Sequence, residues 1–233
     1  MNKKIYRVRG KYLDHEGRGV VEFNHSMIPV PGLLPGELAQ ISLYRKRDET
    51  LGRIVEILEK SGKRKKKGCP YAGQCGGCQL WHMDYGAQLK FKQEQVTALM
   101  GKFHTVSETL GMDKPLGYRY KIHATFGRGS RGQIISGIYQ EKSHRLLSIK
   151  ECLIQEEKAN EIIEAVRREA QALKIPPFDE DSGRGVLRHV LIRVGHKTGQ
   201  IMVVFVVSGF KFPQGKTLCE SLLRKFPQIQ TIV

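Results

Sequence analysis

Cys69, Cys75 and Cys78 stand within ten residues of one another, in the run GCPYAGQCGGCQLWH. Thiolates are what soft metals and iron–sulfur clusters bind, and a cubane cluster takes four of them. Cys152, far downstream in SIKECLIQ, can supply the fourth. Gly76 and Gly77 separate the second and third thiols, and glycine lets a backbone turn sharply and approach a bulky group closely. The pattern C-x5-C-x2-C with one remote cysteine leans toward iron–sulfur. Structural zinc favours two close pairs, and disulfide frameworks belong to short secreted chains; on spacing alone both stay open. Cys219, in the apolar helical pattern TLCESLL, reads as a core cysteine.

A second chemistry is written in charge. Lysine and arginine number 39 against 23 acidic residues, a net charge of +16. That excess calls for an anionic partner. Nucleic acid leads, because each neutralised phosphate releases counterions. An anionic membrane comes second, but no basic amphipathic helix with a strong apolar face is present to insert. The charge concentrates in Lys60, Lys63, Arg64, Lys65, Lys66 and Lys67, directly before Cys69. A solvated linker gives the same composition, so position rather than charge alone favours phosphate contact. No apolar run approaches the roughly 20 residues that cross a bilayer. MNKKIYRVRG alternates like a strand and lacks the apolar core of a signal peptide, so the cytoplasm is the expected compartment.

The elements that must position these groups follow from periodicity. Residues 1–59 contain five short alternating or β-branched runs, IYRVRGKYL, GRGVVEF, SMIPV, ELAQISLYRK and LGRIVEIL, with Gly and Pro turns between them. They imply a small all-β barrel of the oligonucleotide-binding type. Residues 60–83 form a basic linker and the thiol loop. Residues 84–233 read as an α+β domain with an antiparallel sheet. Its first helix spans Asp84 to Phe103, with Val96, Leu99, Met100 and Phe103 on one core face. In GYRYKIHATFGR, Tyr118, Tyr120, Ile122, Ala124 and Phe126 alternate with Arg119, Lys121, His123 and Thr125, a strand with a basic outer face. GRGSRG between two strands reads as a basic hairpin, and HRLLSI as a later strand. Helices follow over Gln155 to Ile175, with Ile162, Ile163, Val166 and Ala170 inward, and over Pro213 to Phe226. VLRHVLIRVG and GQIMVVFVV form a hairpin between them. The chain stops within the strand QIQTIV, so Val233 reads as a cut.

A barrel, then CPYAGQCGGCQLWH, GYRYKIHATFG and GVLRHVLIRVGHKTGQIMVV in that order, resembles the RNA uracil-5-methyltransferases, and within them the iron–sulfur 23S ribosomal RNA branch with a TRAM domain. The resemblance covers essentially the whole chain. It implies a 4Fe-4S cluster on Cys69, Cys75, Cys78 and Cys152, and S-adenosylmethionine as methyl donor. Radical enzymes that cleave this donor use C-x3-C-x2-C, so a fully ligated structural cluster is implied instead. It also implies a C-terminal Rossmann-type domain carrying the donor pocket, the nucleophilic cysteine and the base. That domain is absent from these residues as read, so no catalytic or S-adenosylmethionine-binding residue is assigned in this chain.

The function expected is therefore the RNA-binding and iron–sulfur portion of a 23S ribosomal RNA uracil-5-methyltransferase, inactive by itself. The alternative is a non-catalytic RNA-binding module holding an iron–sulfur cluster or zinc. The partner is ribosomal RNA in a single-stranded or unfolded segment, met by a monomer. Candidate RNA contacts are Lys63, Arg64, Lys65, Lys66 and Lys67 on phosphate, and Arg119, Lys121, Arg188, His189 and Arg193 on the outer face of the second domain. Tyr71, Trp81 and His82 flank the thiol loop, as stacking groups or as a shield for the cluster.

Overall fold

The computed structural model describes residues 4–140, 143 and 145–233. The chain divides into two compact units, Met1–Met112 and Asp113–Val233.

In the first unit, alternation produces strands β1 (Ile5–Arg9), β2 (Tyr12–Leu13), β3 (Gly19–Phe23), β4 (Ser26–Val30), β5 (Leu38–Lys46) and β6 (Glu49–Glu59). They form two three-stranded sheets, β1-β5-β6 and β2-β3-β4, rather than the single closed barrel expected. The reason lies at Gly10. A side chain there would collide with the carbonyl of Leu34, and the Gly10 N–H is spent on the Glu37 carbonyl at 2.9 Å. The run IYRVRGKYL therefore breaks in two and feeds one strand to each sheet. Between the sheets lie Val8, Val21, Ile28, Val30, Leu33, Ala39 and Ile41.

Helix α1 (Tyr85–Met100) starts at Asp84, whose carboxylate accepts the Ala87 N–H at 2.8 Å, an N-cap that satisfies an otherwise unpaired donor. Its buried residue is Phe91, which joins Leu34 and Met83 in a small core. The face expected to be buried is instead open: Leu99 is 70% and Phe103 71% exposed, with Val96 and Met100 about half so. The segment after the helix covers a different side. Gln93 donates to the Val106 carbonyl, Thr109 donates to Gln93, and the Met112 N–H donates to the Tyr85 hydroxyl. Thus α1 belongs with the β-sheets, and the boundary falls at 112/113 rather than at 59/60 and 83/84.

The second unit is one six-stranded sheet in the order β12-β11-β10-β7-β8-β9, built from β7 (Lys121–Arg128), β8 (Ile134–Tyr139), β9 (Leu146–Ser148), β10 (Leu187–Val194), β11 (Ile201–Val207) and β12 (Ile229–Ile232). His144, where the sequence reading starts the strand now called β9, lies outside the described residues. The sheet is mixed, not antiparallel: β12 runs parallel to β11. The connection between them passes through helix α3 (Gly215–Lys225), and a strand–helix–strand crossover returns the chain in the same direction. Helix α2 (Glu157–Ala172) buries Ile162, Ile163, Val166 and Ala170, as its periodicity requires. These share a core with Ile122, Ala124 and Phe126 of β7, Val190 and Ile192 of β10, and Leu218 and Leu222 of α3. With both helices serving one face, the alternate residues of β7 and β10 stand on the other.

Candidate functional site

The thiol loop leaves β6 and returns to α1 through a pair of antiparallel segments. The Lys65 N–H donates to the His82 carbonyl at 3.0 Å, the Asp84 N–H to the Lys63 carbonyl at 2.8 Å, and Arg64 bridges Met83. The basic run 60–67 is thus a strap, paired through residues 63–65 to the far end of the loop. Inside the loop the backbone folds in tight turns. Ala72 donates to the Cys69 carbonyl, and Gln74 and Cys75 donate to that of Tyr71. Gly73 and Gly76 take positive φ angles of 79° and 64°, which a residue with a Cβ rarely adopts. The Gly77 N–H points at the Cys75 sulfur, 3.4 Å away. All three loop thiols are half-buried and outside any disulfide. In the second unit, Cys152 sits just before α2, its backbone clasped by the Asn160 side chain through two 3.1 Å bonds.

Among the described residues no three His, Cys, Asp or Glu side chains come together in a way that could hold a metal ion. The three loop thiols belong to the first unit and Cys152 to the second, and no chemistry is routed through a cluster. Cys219 lies on α3, and burial, with Glu220 beside it, pushes its thiol pKa up. That is the opposite of an activated nucleophile, in keeping with a packing role.

The basic strap divides into charges that are spent and charges that are not. Arg64 turns inward: its Nε and Nη2 donate to the two carboxylate oxygens of Glu37 at 2.6 and 2.5 Å, and Nη2 also reaches the Gly32 carbonyl at 2.7 Å. Glu37 is wholly buried and accepts the N–H groups of Leu34 and Ser61 as well. Burial pushes the Glu37 carboxyl up; the Arg64 guanidinium and the two N–H donors outweigh it, leaving it below its ordinary range. Lys65 lies over the Trp81 ring, 3.5 Å from its centre, a cation–π contact. Lys63, Lys66 and Lys67 are exposed. Beneath the strap, burial and the nearby Arg64 charge lower the His82 pKa to about 4, against Glu37 and the Gln79 backbone. Trp81 Nε1 and His82 Nε2 are buried without a hydrogen-bond partner among the described residues. Trp81 is therefore a packed group and not an open stacking platform.

In the second unit, Lys121 and Arg193 stand directly opposite each other on β7 and β10, both exposed. Further along the same face, His123 (opposite Leu191) and His189 (opposite Thr125) meet diagonally, their rings 4.5 Å apart, and His189 Nδ1 is 3.2 Å from the Thr125 hydroxyl. Burial, then the neighbouring His123 and Arg188, lower the His189 pKa. Arg188 is not free for RNA: it clasps Glu180 at 2.7 and 2.9 Å and rests over Phe178. Arg119 precedes β7, exposed, with its backbone paired to the segment before α2. Sequence reasoning did not assign His123, although its alternation with Lys121 and Thr125 already placed it on this face. A cleft lined by His123, Gly137, Lys150, Gln155 and Asn160 opens beside it. No helix among the described residues is long and apolar enough to cross a membrane.

This geometry has relatives. The chain is 40% identical over 227 residues to an uncharacterized RNA methyltransferase of Halalkalibacterium halodurans, a match covering 95% of this chain and 49% of that protein. It is 37% identical to another from Oceanobacillus iheyensis, covering 99% and 51%. The chain is similar to RNA methyltransferases. Its fold is similar, with a TM-score of 0.69 and 25% identity, to the crystal structure of the Pyrococcus abyssi tRNA (uracil-54, C5)-methyltransferase in complex with S-adenosyl-L-homocysteine, over 91% of this chain and 48% of that one. No family model matches. The chain spans about half the length of the curated relatives it matches.

These likenesses correct the expected function. The chain was expected to be an RNA-binding, iron–sulfur portion set apart from methyl transfer and inactive alone, or else a non-catalytic module. The matched proteins are named RNA methyltransferases and align with 95% of this chain, and the structural relative was solved with S-adenosyl-L-homocysteine. The separation of an RNA-binding part from an absent Rossmann-type part is accordingly withdrawn.

Proposed function

We propose that this chain methylates carbon 5 of uracil in RNA, with S-adenosylmethionine as donor. The likeness to RNA methyltransferases, and in fold to a tRNA uracil-C5 enzyme, supports the reaction. The observation that carries the RNA reading is the cross-strand pair Lys121 and Arg193. Like charges directly opposite on neighbouring strands repel, and no carboxylate stands beside them on that face of β7 or β10. A phosphate placed between them turns that repulsion into attraction. His123 and His189, further along the same face, offer ring faces to a base, as aromatic side chains do for unstacked RNA.

Lys63, Lys66 and Lys67 are proposed as a second set of phosphate contacts, with Lys65 held on Trp81 between them. Arg64 and Arg188 are not retained, because their guanidinium groups already hold carboxylates. Ribosomal RNA is proposed ahead of transfer RNA, on the loop cysteines that mark the ribosomal branch in the resemblance. Cys69, Cys75, Cys78 and Cys152 remain the proposed ligands of an iron–sulfur group, supported by half-buried thiols that are in no disulfide; iron and sulfide analysis of protein purified without oxygen tests this, and their absence removes it. The donor when bound supplies an electrophilic methyl group. The cleft beside His123 has no carboxylate in its lining to hold a ribose, so the donor's place is not assigned to it and no step is routed through it.

The test is direct. The full chain is incubated with ribosomal or transfer RNA and methyl-labelled S-adenosylmethionine, and the RNA is digested to nucleosides. Labelled 5-methyluridine is expected. Label in a different nucleoside, or no label from protein that binds the RNA, overturns the proposal.

A further inference from the structure

We propose that Glu37 and Arg64 form a latch that sets the shape of the thiol loop, so that the reactivity of Cys69, Cys75 and Cys78 is governed from the N-terminal sheets. The inference goes beyond methyl transfer and holds whether or not the loop takes a metal.

The loop is closed at its neck by residues 63–65 against 82–84. Arg64 is the middle residue of that neck, and its guanidinium is the part that leaves the loop and enters the sheet unit. There it meets Glu37 through both carboxylate oxygens and Gly32 through its carbonyl. Glu37 in turn holds Ser61, where the strap begins, and Leu34. Leu34 packs on Met83, the residue bridged to Arg64 across the neck. One carboxylate thus ties the entry of the loop, the exit of the loop and the turn on which both rest.

Closing a flexible loop costs entropy that grows slowly with its length, and here a charge pair between the buried Glu37 and the mostly buried Arg64 offsets that cost. Breaking one partner of such a pair leaves the other charge buried and uncompensated. The neck is then the place that opens, and with it the turns that half-bury the three thiols. Glu37 and Arg64 act through the loop backbone and are positioning residues.

The experiment is N-ethylmaleimide labelling of the full chain under native conditions, read by mass spectrometry at each cysteine. Arg64→Gln removes the latch and leaves Glu37 its two backbone donors. Labelling of Cys69, Cys75 and Cys78 is expected to rise about tenfold or more through local opening, while Cys219 on α3 keeps its rate. Arg64→Lys keeps the charge without the two-pronged geometry, and a smaller rise at the same three thiols is expected. Unchanged rates at the loop thiols in either variant overturn the proposal. So does a parallel rise at Cys219, which would mean that the pair holds the whole fold and not the loop.

Discussion

The basic strap of the first unit and the open sheet face of the second carry similar side chains to different ends. In the strap, Arg64 is drawn into a buried pair with Glu37, and Lys65 is laid on Trp81. On the sheet, Lys121 faces Arg193 across two strands with no acid between them. Within the sheet unit itself the same division recurs on one strand, where Arg188 is bound to Glu180 and Arg193 is exposed. Density of charge along a sequence therefore does not mark a binding surface. A cation used for folding is identified by a carboxylate or ring already at its tip, and a cation left for a partner by a like-charged neighbour.

The contrast is open to breaking at its strongest point first. Arg64→Met leaves Glu37 buried without its counter-ion and is expected to cost about 3–5 kcal/mol in denaturant unfolding; a loss under about 1 kcal/mol would make the strap equivalent to the sheet face. Acid is the next lever. His82 is held at about 4 against an ordinary value of 6.5, so the unfolded chain takes up a proton that the folded chain refuses. Stability should fall as pH drops from 6.5 to about 4, by up to roughly 3 kcal/mol. Glu37, lowered below its ordinary carboxylate value, acts in the same direction: its contribution is complete above that value and is lost as pH falls through its folded pKa. Replacing His82 by Gln should flatten the upper part of this profile in pH-dependent unfolding, and an unchanged slope would reject His82 as its source.

Smaller effects sharpen the other side. Lys121→Ala with Arg193→Ala should change stability by no more than about 0.5 kcal/mol. It should also reduce the dependence of log K on log salt, measured with single-stranded RNA, by roughly 0.7 per side chain. An intact salt slope would remove the face from the RNA interface. Arg188→Ala should alter that slope least and cost about 0–1 kcal/mol, the range of a partly exposed ion pair.

Periodic features were legible in the sequence, and features that depend on a distant partner were not. The inward row Ile162, Ile163, Val166 and Ala170 of α2, the alternation of Ile122, Ala124 and Phe126 in β7, and the β10–β11 hairpin all follow from side-chain spacing. So does the GRGSRG turn, closed by the Gly129 N–H on the Gln133 carbonyl. The α1 face failed, because Val96, Leu99, Met100 and Phe103 have good helical spacing but the returning segment runs along Tyr85 and Gln93 instead. The direction of β12 was missed because parallel pairing depends on a crossover and not on the strand's own residues. Glu37 was missed because a single acid in a Pro-Gly-Glu turn carries no sign of the arginine that meets it. The thiol spacing was plain, but three of the four cysteines lie in one unit and the fourth in the other, and spacing along the chain carries no sign of that division.

The pairing of β7 with β10 bears on the time course of synthesis. Thr125 and His189, joined by a side-chain contact, are 64 positions apart, and β8, β9 and α2 are made between them. The centre of the second sheet can close only when the ribosome has passed all three, and such distant pairings fold slowly. The pairing of β5 with β1 and with β6 needs nothing beyond the first unit. As the chain emerges, the sheets that hold the loop neck are complete before the cationic face exists, so the two surfaces are built in a set order from one end.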